Sequence, residues 1–433
     1  MARIAVIGGG FGGMAAAARL AKLGHDVTLL EQGPRLGGAL DTIEADGFSW
    51  DAGPAMTLLP AVIRDLFRKS GRPLEKELEL VSRDVIREHW FADGSTVTLR
   101  GGSRGVQYDA FEELGKGLGQ QWCDHVAAYA DDWEVVRREY LERPWRPEIA
   151  SKEVVARLQS RTMLAKRLKK ELGDERLRLV AGHPFFMDGH DLRNVPAWMG
   201  VNAYVEQNFG AWTVPGGMAR LADALASRLE TRRVTVELDT PVTDIVVRDG
   251  RAVAVATAAG EVDADAVVCA VDPRRVPTLA PYVVKTMPAI PPYVVHLGLD
   301  GDVPDLGPET VFHGDPTIVV RTGGTAPEGC HAWTLYGRGH LSEDMVLALS
   351  RMGANVRANV VARVDRTPRA QVAGLGSSPL GVLWQGRATL QHRLGPRTPV
   401  EGVYAAGANA TPGSGLPYVG LSASLVAQEI GPA

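Results

Sequence analysis

Cysteine is scarce in this chain. Cys123, Cys269 and Cys330 are its only three, widely separated and without a C-x-x-C or Cys/His spacing, which argues against a disulfide framework or structural zinc and leaves reduced, buried thiols as the expectation. A charge excess is missing too. With 47 Lys and Arg against 51 Asp and Glu, net charge −4, the chain carries no nucleic-acid footprint, and a small-molecule partner is expected instead. No run is long and apolar enough to cross a bilayer. The charge-poor stretch between Ile4 and Leu20 is interrupted by glycines and starts as a strand at Arg3, leaving no room for a leader, so the expected location is cytoplasmic. Internal repeats and low-complexity tails are also lacking. At 433 residues the chain is too long for one ordinary domain and comfortable for two.

What is present begins at the N-terminus. Ile4-Ala5-Val6-Ile7 is a short β-branched run suited to a buried strand, and Gly8-Gly9-Gly10-Phe11-Gly12-Gly13 follows at once, with Gly8, Gly10 and Gly13 in G-x-G-x-x-G spacing. Met14 to Leu23 reads as a helix. Such glycines allow a sharp turn and close approach to a pyrophosphate, whose charge suits the helix N-terminus. A second strand, Val27 to Leu30, ends on Glu31, where a carboxylate can accept from ribose hydroxyls; an anion there disfavours a 2′-phosphate and leaves FAD or NAD.

Two further groups of residues choose between them. Arg35-Leu36-Gly37-Gly38 with Asp51-Ala52-Gly53-Pro54, and, at the far end, Gly402 to Asn409 with Thr411-Pro412-Gly413-Ser414-Gly415-Leu416-Pro417-Tyr418-Val419-Gly420, resemble the FAD-dependent amine oxidase and phytoene desaturase superfamily. The resemblance implies an α/β fold: a Rossmann-like FAD-binding domain, a parallel sheet with a β-meander, from residues 1–80, 214–285 and 385–433, and a discontinuous α+β substrate domain, with an antiparallel sheet and a helical insertion, from 81–213 and 286–384. It further implies FAD held by Gly8, Gly10, Phe11, Gly12, Gly13, Glu31, Gln32, Arg35, Gly37, Gly38, Ala39, Gly53, Pro54, Ala55, Val242, Gly407, Ala408, Asn409, Leu416, Pro417, Tyr418 and Val419. No Cys stands between Thr411 and Gly420, so the flavin is expected to be non-covalent. Ala39 departs from the pattern, standing where many members have Arg. The chain is also shorter than the usual carotenoid desaturase, which puts a tunnel for a full-length polyene in doubt.

Between these ends, Pro60 to Ser70 reads as a helix and Val85 to Trp90 with Thr96 to Leu99 as a hairpin around Asp93-Gly94. Asp109 to Leu177 reads as two or three helices broken at Pro144 and Pro147. Inside it, the basic cluster Lys166 to Lys170 is either a solvated helix face or a peripheral contact with anionic lipid. His183 to His190 combines aromatics, histidines and turn residues, and the resemblance implies that it borders the substrate cavity, with His183 as the acid/base candidate, or else an ordinary buried histidine, and with Phe185 and Phe186 as lining, or else ordinary core. Trp212 to Met218 is similar to the family's aromatic-x-x-P-G-G element and opens a helix, Met218 to Leu229. Strands through Val234 to Leu238, Val242, Val253 to Val255 and Val267 to Ala270 form a meander. Tyr293 to Leu299, Thr317 to Val320 and Ala332 to Tyr336 alternate as an antiparallel sheet, crossed by a helix from Asp344 to Val364. Trp212 and Gln385 complete the expected pocket. No metal site is expected.

The resemblance implies an FAD-dependent dehydrogenase or desaturase taking a hydride from an apolar C–C bond of a terpenoid or other secondary metabolite, with oxygen or a quinone as electron acceptor and a small apolar or amphipathic substrate. The alternatives are an amine oxidase acting on C–N, a non-redox flavin-dependent isomerase, and a prenyl-binding protein like the GDP-dissociation inhibitors.

Overall fold

A computed structural model describes all 433 residues, Met1–Ala433. Its nucleotide-type sheet has five parallel strands: β1 (Arg3–Ile7), β2 (Asp26–Leu30), β3 (Thr235–Glu237), β4 (Ala266–Cys269) and β5 (Val403–Ala405), in the order β5-β4-β1-β2-β3. β1 occupies the centre because Ile4, Ala5, Val6 and Ile7 are all buried, as a strand covered on both faces requires. On one face lie helices α1 (Phe11–Lys22) and α3 (Leu416–Ile430), packed together. Ala15, Ala16, Ala17 and Ala18 are fully enclosed, their small side chains admitting the close approach.

A three-stranded antiparallel meander, Val242–Arg248, Arg251–Thr257 and Gly260–Asp263, lies against this sheet. Residues 266–269, expected in the meander, form β4 instead. All four are buried, the signature of a strand shielded on both sides.

The second sheet has seven strands, in the order Val360–Arg366, Tyr293–Asp300, Cys330–Arg338, Thr317–Thr322, Glu309–Phe312, Val85–Trp90 and Thr96–Arg100. Every pairing is antiparallel except that of Glu309–Phe312 with Val85–Trp90. The helix expected over Asp344 to Val364 is shorter: it spans Met345–Arg351, with Asp344 accepting from the N–H groups of Val346 and Leu347. Gly353, at φ 108°, lets the chain turn away, and the β-branched Val360, Val361 and Val364 then build an edge strand.

The helical insertion is more finely divided than two or three helices. It contains Arg104–Leu114, Leu118–Ala127, Ala130–Val136 running into a wider turn at Arg137–Leu141, Lys152–Leu158, Leu164–Glu171, α2 (Glu175–Met187) and Val201–Phe209. Ser103, Ser151 and Asp174 each cap a helix by accepting from a backbone N–H, so starts are specified locally even where the apolar period is weak. From His183 the chain stays helical, α2 continuing through Pro184 to Met187 before Gly189 breaks it. Of the cysteines, Cys123 and Cys269 are buried and Cys330 is only half-buried; all three are free. No helix is long and apolar enough to cross a membrane.

Candidate active site

The first component is a crevice where the two ends of the chain meet. α1 and α3 both begin without a side-chain cap and without an acidic residue in the first turn, leaving N–H donors free at each start. The starts are adjacent: a Cβ on Gly12 would lie 2.8 Å from Gly407 Cα and 3.0 Å from Val419 Cγ1. A Cβ on Gly13 would run into the Gly8 carbonyl oxygen, which is why this turn tolerates no side chain there, whereas one on Gly10 would meet open space. Two uncapped helix starts around open backbone form a cradle for anionic groups. Glu31 closes one side, its carboxylate accepting from the N–H groups of Gly9 at 2.6 Å and Gly33 at 2.8 Å. Gly37 N–H donates to Gly9 O at 2.9 Å, holding the Gly37-Gly38-Ala39 loop beside the turn. Arg35 reaches outward to Asp41, and Gln32 is exposed beside Gly376.

Asp51 ties this crevice to the next segment by accepting from Met218 N–H at 2.9 Å, and burial raises its pKa above the usual carboxylate range. Gly53, Pro54 and Ala55 follow, half-buried, with Arg366 donating to Ala52 O at 2.9 Å and Thr213 to Ala55 O at 2.9 Å. On the C-terminal side, Gly407 N–H donates to Ser422 Oγ at 2.8 Å. Asn409 is buried with its Oδ1 unpartnered, Ala408 is half-buried, and Leu416 and Pro417 are buried in the first turn of α3. Val242 opens the meander opposite Thr257.

The second component is a cavity against the Pro412 to Tyr418 turn, open to solvent at its mouth. Its walls are Trp133, Tyr140, Phe185, Trp198, Trp384 and Tyr418, with Asp188, His190, Asn202, Arg393 and Ser414 as polar members. Arg393 is buried and donates to Pro412 O at 2.6 Å while its guanidinium lies 4.9 Å from the Trp384 ring centre. Tyr140 donates to the same carbonyl at 3.1 Å. Burial drives the Tyr418 hydroxyl up to about 12, so it stays protonated at neutral pH.

The flavin containing amine oxidoreductase family matches residues 11–430. The chain belongs to that family. It is similar to the 4,4'-diapolycopene oxygenase of a Methylomonas species, 26% identical with 99% of this chain and 98% of that protein aligned, and to the zeta-carotene-forming phytoene desaturase of Myxococcus xanthus, 28% identical over 99% and 93%. Among solved structures, putrescine oxidase bound to putrescine has the same fold, with a TM-score of 0.68 at 16% identity over 99% of this chain and 98% of that one. So does a conjugated-linoleic-acid-producing fatty acid isomerase from P. acnes, with a TM-score of 0.65 at 16% identity over 99% and 98%.

This member of the flavin family is an FAD-dependent oxidoreductase, phytoene desaturase-like in sequence. Its residues fit the cofactor on their own terms. The uncapped helix starts suit a diphosphate, the open space at Gly10 admits one, and the unpartnered Asn409 Oδ1 is a buried acceptor awaiting a donor.

The substrate-side expectations need correction at four positions. His183 does not line the cavity. It is buried with His89 and His313, its ring edge-on to theirs at 5.5 and 6.1 Å, while His89 Nδ1 and His313 Nε2 share a hydrogen bond of 2.9 Å. Burial depresses all three, His313 to about 4, so the stack is neutral at pH 7. Phe185 lines the cavity, but Phe186, its neighbour on a helix, points outward and is 38% exposed. Trp212 pairs in a short strand with Ser82 and lies under the Arg64 guanidinium. Gln385 turns away and its neighbour Trp384 faces inward, with its backbone N–H donating to His190 Nδ1 at 3.2 Å.

The expected pocket omitted Tyr140, Asp188 and Arg393, because the helical insertion supplies the first two and no motif marks the third. It also omitted a buried ionic cluster on the seven-stranded sheet. Arg87 pairs with Glu206 at 2.7 Å and Arg321 with Glu309 at 2.7 Å, and Arg321 also donates to Tyr336 Oη at 3.0 Å.

Proposed function

We propose that this oxidoreductase dehydrogenates a C–C bond of a largely apolar terpenoid or related secondary metabolite, with oxygen or a quinone taking the electrons afterwards. The observation that carries the reading is the aromatic cavity against the Pro412 to Tyr418 turn, which would suit an apolar substrate beside the end of the crevice where α3 begins. The near full-length similarity to a carotenoid oxygenase and a phytoene desaturase supports it.

Gly8 to Gly13 and the start of α1 hold the diphosphate, Glu31 a ribose, Val242 the adenine side, and Gly53 to Ala55, Gly407 to Asn409 and Leu416 to Val419 the ring end. FAD supplies a hydride acceptor there. The chain's own part is alignment and charge. Trp198, Trp384 and Phe185 exclude water and fix the substrate, and the N-terminus of α3 favours negative charge opposite it. The Thr411 to Gly420 segment has no cysteine to form a flavin link, so acid precipitation is expected to leave the yellow colour in the supernatant.

The test is anaerobic titration of the purified holoprotein, followed in the visible spectrum, with polyenes, cyclic terpenoid alcohols and amines. Bleaching by a terpenoid is the expected result. Bleaching by amines alone would transfer the activity to C–N bonds, and isomerised product without bleaching would make the reaction non-redox.

A further inference from the structure

The cavity is aromatic on most sides, yet it contains one carboxyl group that the protein leaves unanswered. Asp188 sits at the C-terminal end of α2, between Phe185 and His190, and receives neither a hydrogen bond nor an ion pair from any protein group. The basic members of the wall are engaged. His190 Nδ1 accepts from the Trp384 N–H, and Arg393 donates to the carbonyls of Pro412 and Val382. Asn202, Ser414 and the Tyr418 hydroxyl are also free, but they are neutral. A hydrogen bond to an ionised acceptor is roughly twice as strong as one between neutral groups.

Burial holds the Asp188 carboxyl up at about 6, with the charges of Arg338 and Arg321 pulling the other way, so it is predominantly ionised at neutral pH. The surrounding field decides what could pair with it. Arg338 donates to the carbonyls of Met187 and Ile290, Arg321 is held by Glu309, and Arg393 stands in the cavity wall. With these guanidinium groups near a single free carboxylate, an entering ammonium would meet repulsion as well as attraction, whereas a neutral donor pays only its own desolvation.

We infer that Asp188 is a specificity-determining residue that accepts a hydrogen bond from a hydroxyl group on the substrate, so the cavity takes an oxygenated, amphipathic terpenoid in preference to a bare hydrocarbon. This deepens the dehydrogenase reading and rests on it for the word substrate. Binding itself is independent of it.

The experiment measures cavity occupancy in the holoprotein by quenching of tryptophan fluorescence, Trp133, Trp198 and Trp384 being in the wall. The probes are geraniol, geranyl methyl ether and geranylamine, and the variants are Asp188→Leu and Asp188→Asn. The wild type is expected to bind geraniol about 10-fold tighter than the ether, in line with one charge-assisted hydrogen bond. Asp188→Leu should bring that ratio close to one by weakening geraniol and not the ether. Asp188→Asn, which keeps a neutral acceptor and nearly the same shape, should fall between.

Equal affinity for alcohol and ether in the wild type, or an unchanged ratio in Asp188→Leu, would overturn the assignment. Geranylamine binding tighter than geraniol would overturn the hydroxyl in favour of a cation. Alcohol preference without flavin bleaching by any terpenoid would leave Asp188 as assigned and sink the dehydrogenase reading, while bleaching without alcohol preference would do the reverse.

Discussion

Glu31 does two things with one carboxylate: it ties down the glycine turn through Gly9 and the following loop through Gly33. Replacing it with alanine removes both acceptors and the anion offered to the ribose. FAD affinity is expected to fall by about 10- to 100-fold, the equivalent of one or two charge-assisted hydrogen bonds, as measured by reconstituting apoprotein while following flavin fluorescence. Arg87 and Glu206 show a different logic, because both are almost wholly buried, at 4% and 6% side-chain exposure. Arg87→Met should cost about 3–5 kcal/mol in urea unfolding by stranding Glu206, and the double variant Arg87→Met with Glu206→Leu should recover most of it. A double variant as damaged as the single one would mean that the pair acts through more than its charge.

At the scale of elements, the decisive contact is between the first turns of α1 and α3. Gly12→Val would push them apart by forcing a side chain against Gly407. The expected result is protein purified without colour and with melting lowered by several degrees, whereas the same change at Gly10, where a Cβ meets nothing, should leave melting of the apoprotein close to wild type.

These starts were legible in the sequence because glycines needed for close approach cannot be replaced, so their spacing survives in plain view. The seven-stranded sheet was half legible: the apolar runs at 293–299, 317–320 and 332–336 read as strands, but Val360–Arg366 was absorbed into the helix expected over Asp344 to Val364. Its branched valines and Gly353 were the missed signal. The cavity was least legible. Its walls come from the insertion, from α2 and from residues 382–418, and which of two neighbours faces inward, Phe185 or Phe186, Trp384 or Gln385, depends on packing that no local pattern encodes.

For the molecule as a whole, buried histidines set the response to acid. His190, His296 and His313 are each lowered by burial from 6.5 to about 4. Unfolded histidines take up protons below about 6.5 while these stay neutral until about 4, so stability is fully present above 6.5 and is lost as pH falls through that window. Asp188 acts oppositely: its raised value makes folding slightly easier as pH drops from about 6 towards 4, which offsets one histidine and not all of them, burial depressing His89 and His183 as well. Melting temperature is therefore expected to decline steadily from pH 6.5 to 4, and His313→Phe, which keeps a ring stacked beside Phe91 and His89, should flatten the decline. An unchanged profile in that variant would remove His313 from the account.

The parallel sheet also has a consequence for how the protein is made. Its central strand, Arg3–Ile7, is made well ahead of Ala266–Cys269, its neighbour on one side, and of Val403–Ala405, the strand beyond that. A nascent chain must therefore carry an apolar, half-paired ribbon until those strands are made, and the cofactor can be locked in only after Leu416–Ile430 emerges. Ribosome-stalled chains ending before residue 400 should be chaperone-bound and colourless, and yellow capture should appear only once Leu416–Ile430 has been made.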